Sequence, residues 1–100
     1  MVYNVIWSEE AESSFFLVID DILSRWSVRE ASNFISRTEE VISQIVIHPY
    51  IFKEYEKDIS IRHGILHKNT TMFYRVEENN SSIQIMLFWN SKRNPQSLKL

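Results

Sequence analysis

Residues 59–76 read ISIRHGILHKNTTMFYRV, and the fold turns on how that stretch is divided. Apolar side chains recur at alternate positions through 59–67 (ISIRHGILH) and again through 71–76 (TMFYRV), the period of a strand lying on a packed surface. The break between them, KNT, is too short for a crossover connection, so the two strands are antiparallel neighbours. A third run of the same kind, 82–89 (SIQIMLFW), follows the break EENNS. With one glycine in the whole chain, Asn69, Asn79 and Asn80 are expected to supply the left-handed turn conformations. Three strands on short links form an antiparallel meander.

Upstream of the meander the period changes. Tyr3–Trp7 (YNVIW) alternates and reads as a short strand. Ser8 then caps a helix whose first turn holds Glu9, Glu10 and Glu12, where carboxylates meet the positive end of the helix dipole. Ala11, Phe15, Ile19, Ile22, Leu23 and Trp26 recur at helical spacing and set this helix at about 9–26. SVRE at 27–30 is a capping box: the serine accepts from the backbone and Glu30 reaches back to the cap's own N–H. A second helix therefore starts there. It buries Ala31, Phe34, Ile35, Thr38, Val41, Ile42 and Ile45, and stops near His48–Pro49 because proline restrains the residue before it. Residues 49–58 (PYIFKEYEKD) read as a loop. The order is β-α-α-β-β-β, an α+β fold in which a helical hairpin (about 9–47) packs on one face of a mainly antiparallel four-stranded sheet. Residues 1–100 make one domain, with its C-terminal strands at about 59–89 and a tail at 90–100. Phe15, Phe34 and Ile42 belong between hairpin and sheet.

Composition narrows the chemistry. Hydrophobic residues are 44% of the chain, enough for one compact core, and the absence of cysteine removes disulfide, thiolate and cysteine-ligated metal chemistry. The longest apolar run, FFLVI, is far short of the roughly 20 residues of a membrane span. The N-terminus lacks the basic-then-apolar pattern of a signal peptide. A soluble, cytoplasmic protein without a membrane partner is expected. The net charge of −2 hides an asymmetry: residues 1–50 carry three cations against eight acids, and residues 51–100 carry eight against five. An anionic partner would meet the C-terminal half, because long-range attraction follows local potential.

No phosphate-binding glycine loop, nucleophile elbow or metal cluster is present in the sequence. His63 and His67, four apart on a strand, share a face at roughly 13 Å separation, too far to hold one ion. No metal, cofactor or small-molecule substrate is expected. Either histidine could serve as a general base, the role its residue type fills most often in catalysis, against the plainer reading of a half-exposed strand histidine. Arg62, Lys68 and Arg75 lie in the stretch 59–76, which has no acid, and Lys92 and Arg93 follow the last strand. Cations interleaved with Tyr74, Phe88 and Trp89 suit a phosphate backbone or stacked bases, although aromatics on alternating strands more often form core.

These residues resemble the RelE/ParE superfamily of toxins from bacterial toxin–antitoxin modules. The likeness rests on RWSVREA between the helices, on HPYIF, and above all on IRHGILHKNTTMFYRV followed by LFWNSKRNP, and it covers nearly the whole chain. It implies a growth-inhibiting toxin neutralised by a cognate antitoxin protein. RelE-like members cut mRNA on the ribosome, and ParE-like members poison DNA gyrase. A ribonuclease of this kind needs a base, an acid and cations for the developing phosphorane charge; here Arg62, His67 and Arg75 would be that metal-independent set. Such enzymes tend to be strongly basic with a histidine or tyrosine near the C-terminus. Residues 90–100 have neither, and the chain is slightly acidic, so the resemblance favours the ParE-like branch over the endoribonuclease. Its target-binding surface would draw on Arg62, Lys68, Tyr74, Arg75, Trp89, Lys92 and Arg93.

Overall fold

The computed structural model describes residues 2–91 together with Leu98 and Leu100. Ser8 stands in extended backbone and its hydroxyl accepts the Ala11 N–H at 2.9 Å, which starts α1 (Glu9–Arg25). Ser27 does the same for the Glu30 N–H at 3.1 Å and starts α2 (Val28–Ile45). Only Trp26 and Ser27 separate the helices, so they fold back on one another as a hairpin. The Glu30 carboxylate, expected to turn back on its own cap, is instead engaged across the domain with His67.

The strands are β1 (Asn4–Trp7), β2 (Lys53–Tyr55), β3 (Asp58–His67), β4 (Thr70–Glu77) and β5 (Ser82–Asn90), in sheet order β1-β5-β4-β3-β2. The sheet has five strands, one more than the sequence reading. The addition, β2, lies inside the segment read as a loop, because the residues Lys-Glu-Tyr show no apolar alternation; it exists by pairing Lys53 with His63 and Glu54 with Arg62. From β2 to β5 the pairing is antiparallel, and β1 adds to β5 in parallel. The helical hairpin is the crossover that makes this order possible: α1 packs over β5 and α2 over β3, carrying the chain from one edge of the sheet to the other. No helix among the described residues is long and apolar enough to cross a membrane.

Hairpin and sheet are joined by four rings. Phe15 of α1 lies 5.2 Å from Trp7, 5.3 Å from Phe34 and 5.1 Å from Phe88, and Trp7 stacks on Phe88 at 5.3 Å. Phe34 is fully buried, and Phe15 and Ile42 are half-buried beside it. The α2 stripe matches its helical spacing; that of α1 is rotated. Its buried face is Ala11, Ser14, Val18 and Ile22, while Leu23 and Trp26, expected inside, are 45% and 53% exposed. The small side chains at 11 and 14 let α1 sit close to β5, where the Ser14 hydroxyl accepts the Phe88 N–H at 3.0 Å.

The other sheet face is also apolar. Ile61, Phe73, Leu87 and Trp89 are buried there, with Tyr55, Met86 and Leu98 packed against them. Two register shifts decide which side chains reach which face. One, on β3 between Ile65 and His67, brings Leu66 and His67 both to the helix side; the other lets Phe73 face Leu87 while Tyr74 faces Ile85. The left-handed turn residues are Lys68 (φ 47°) and Ser81 (φ 50°), each one position away from the asparagines expected to adopt that conformation. Gly64 has a separate purpose: a Cβ there would overlap the Phe52 ring.

Tyr74 is fully buried and its hydroxyl donates to the Pro49 carbonyl at 2.7 Å, fastening the end of the helical hairpin to the middle of the sheet. Burial pushes its pKa up to about 12 from the usual 10. The folded state thus holds this proton more tightly than the unfolded chain. That contribution is complete below about pH 10 and is lost as pH rises from 10 towards 12. Thermal melting across pH 8–12 should therefore show a steep alkaline loss, and Tyr74→Phe should flatten it while lowering the neutral-pH melting temperature. Phe34→Ala should cost about 3–5 kcal/mol by leaving a cavity among the four rings. A denaturation curve unchanged by that substitution would contradict the packing described.

Candidate functional site

The sequence nominated seven residues for target binding; two of them, Arg62 and Arg75, were nominated for catalysis as well, together with His67. On neighbouring antiparallel strands, residues directly opposite each other share a face. Arg62 is opposite Tyr74 and lies on the helix side; Arg75 is opposite Ile61 and lies on the outer face. The sheet thus stands between the two guanidiniums, and no shared Arg62–Arg75 surface exists. His63 and His67 are parted in the same way. His63 stacks on Phe73 of the outer face at 5.7 Å, whereas His67, turned by the register shift, meets the ring of Phe34 on the helix side. The expectation that both share a face fails because the strand period breaks between them.

Each side chain has a local occupation. The Arg62 guanidinium donates to the Phe52 carbonyl at 2.7 Å and lies 4.7 Å over the Tyr50 ring, with Glu54 at 3.9 Å; its side chain is 19% exposed. It braces the loop between α2 and β2. Tyr74 is core, so it presents no surface to a partner. Trp89 is buried in the outer cluster, 8% exposed, and anchors the end of β5 rather than forming an open platform. Phe73 and Phe88 are core, as their positions in alternating strands implied. Arg75 is half-buried on the outer face, with Asp58 close enough for its charge to lower the carboxyl pKa; the main cause of that shift is the hydrogen bond from Ser60. Lys92 and Arg93 lie outside the described residues.

His67 and Lys68 open a cleft that the sequence only half disclosed. It lies between the C-terminal end of α1, the β3–β4 turn and the end of β5, and is lined by Asp21, Arg25, Trp26, His67, Lys68 and Asn90. The His67 Nε2 is 2.9 Å from a Glu30 carboxylate oxygen, and its Nδ1 is buried without a hydrogen-bond partner among the described residues. The Lys68 ammonium sits 4.5 Å over Trp26 and 4.0 Å from Glu30. Arg25 binds Asp21 at 2.7 Å. A general base must offer a free nitrogen lone pair to the proton it takes. In this arrangement one His67 nitrogen faces a carboxylate and the other is sealed from solvent. Glu30, Asp21 and Trp26 were missed as site residues; the i, i+4 spacing of Asp21 and Arg25 was the one available signal for that pair.

No family model matches the sequence, and no curated protein matches it. Among solved structures, a chain of the chromosomal ParDE TA (toxin–antitoxin) system from P. aeruginosa superposes with a TM-score of 0.71 at 15% identity. The match covers 89% of this chain and 96% of that one. The fold is therefore the RelE/ParE fold: two helices, then an antiparallel meander whose last strand takes up the first in parallel.

Arg62→Ala should free residues 50–52 and loosen β2 after them. The carbonyl of Phe52 would lose its partner, at a cost of about 1–3 kcal/mol. Hydrogen exchange should speed up at β2 and the loop before it while the four-ring core stays protected. Lysine at 62 should restore only part of this, since an ammonium lacks the planar fork that stacks on Tyr50.

Proposed function

We propose that this chain is the toxin of a type II toxin–antitoxin module, kept inactive by a cognate antitoxin protein, and that it arrests growth by binding an essential target. The fold supports the module, through its likeness to a chain of a ParDE system. The placement of the cations supports binding over cleavage. A phosphoryl-transfer site needs base, acid and cations converging on one phosphorus. Here Arg62 and Arg75 lie on opposite sheet faces and His67 is tied to Glu30. DNA gyrase, the ParE-like target, is the candidate, and the cytoplasm is where both gyrase and the antitoxin would be met. The ribosome with its mRNA is the competing target, reached if the chain works as a RelE-like endoribonuclease.

Target recognition draws on Lys68 at the cleft rim, Arg75 on the outer face, and Lys92 and Arg93, which follow β5 in the sequence. Arg93 leads this group, because a guanidinium is always charged and grips a carboxylate or phosphate with two hydrogen bonds. Three assays separate the alternatives: growth after induction, gyrase supercoiling, and mRNA integrity in a translation extract. The expected pattern is growth arrest with supercoiling inhibited and mRNA intact; cleaved mRNA with unaffected supercoiling would replace the binding mechanism with the nuclease. Arg93→Ala should melt like the parent, keep its antitoxin and lose most of its growth inhibition, with Arg93→Lys a partial rescue. Full toxicity from a well-folded Arg93→Ala chain would remove the tail from the target surface.

A further inference from the structure

Apart from Leu17, the large apolar side chains that α1 and its C-cap leave in solvent fall on one line. Phe16, Leu23 and Trp26 are 62%, 45% and 53% exposed, and with half-buried Ile19 they fall at i, i+3, i+7 and i+10, one continuous stripe along the helix. Val28, 76% exposed, prolongs the apolar surface at the start of α2. The same helix is strongly acidic. Between Glu9 and Arg25 it carries five carboxylates and one cation, and that cation, Arg25, is already paired with Asp21. Glu12 precedes Phe16 by one turn and Asp20 stands between Phe16 and Leu23. Among the described residues neither has a cationic partner.

An exposed apolar stripe marks a contact surface. Lys68 covers part of its Trp26 end, but along Phe16–Leu23 the border is acidic, and that restricts what can cover it. A second copy of this chain would set two acidic helices against each other. An anionic lipid surface or a nucleic acid would be repelled by the same carboxylates. We propose that the Phe16–Leu23–Trp26 stripe is the docking face for a segment of a partner protein that carries large apolar side chains bordered by lysine or arginine. This rests on the toxin reading and deepens it by giving the proposed antitoxin a docking face on α1 and a definite chemistry there: basic and apolar, opposite in sign to what the net-positive C-terminal half would attract.

The test uses two synthetic helical peptides with the same leucine and phenylalanine spacing, one bordered by lysine and arginine, the other by glutamate and aspartate. The basic peptide should bind the full chain at least tenfold more tightly than the acidic one. Phe16→Ser with Leu23→Ser should abolish that binding without moving the melting curve, as both side chains face solvent. Glu12→Lys with Asp20→Lys should invert the preference, and it serves as the check if the serine variant melts early. Tighter binding of the acidic peptide, binding indifferent to the serine pair, or a dimer in sedimentation that the serine pair dissolves would each overturn the proposal. Growth arrest on induction is measured separately. A chain that arrests growth but ignores the basic peptide keeps the toxin reading and loses this one, and a chain that binds the peptide without arresting growth does the reverse.

Discussion

Trp7, Phe15, Phe34 and Phe88 come from four different elements and join both helices to the sheet. Their contacts fix the tilt of both helices against the sheet, and that tilt in turn decides where β1 lies beside β5 and where α2 releases the chain towards β2. A hairpin of two short helices has little independent stability in water; most of it comes from the face that is packed. The rings supply that face. Tyr74 completes the arrangement from the sheet side by holding Pro49, the point where the second helix has run out.

Covering one face of the sheet did not leave the other for water. The outer cluster of Ile61, Phe73, Leu87 and Trp89 means that β4 and β5 are buried on both sides, as central strands of a larger sheet usually are. This sets the terms for any surface chemistry. Cations on the middle strands are separated by the sheet, so side chains free to act together lie at its rims: the cleft at Lys68, the end of β5, and the open side of α1. The interior side chains that look chemically interesting, Arg62 and His67 above all, are spent on holding loops and turns in place.

Much of this was legible in the residues. The two serine caps gave both helix starts, and the alternation in 59–76 and 82–89 gave three strands with their antiparallel order. What escaped had physical causes. β2 has no apolar pattern, because a short edge strand is held by pairing and by Arg62 rather than by burial. The register shifts on β3 and β5 need no special residue, so nothing in ISIRHGILH announces that His67 will turn away from His63. The rotation of α1 came from reading Leu23 and Trp26 as core when the helix instead buries Ala11 and Ser14, whose small size lets it approach the sheet. The second apolar face did leave a trace: TMFYRV and IMLFW carry large side chains at both parities, which a strand wetted on one side would not need. The candidate site suffered most, since a single shifted register exchanges the two sides of a strand and with them every grouping of side chains inferred across it.

The serine at position 14 has one more consequence. Beyond Trp7, β5 continues without β1 beside it, and such a bare strand margin is where polypeptides stitch themselves into open-ended ribbons. Here the margin is stoppered from within: the Ser8 hydroxyl donates to the carbonyl of Met86 and the Ser14 hydroxyl accepts the amide N–H of Phe88, two backbone groups of that segment. Two oxygen atoms borrowed from a helix thus keep the sheet finite on that side. A neighbouring molecule seeking to extend it would have to prise the helix off first, and with it the ring of Phe15.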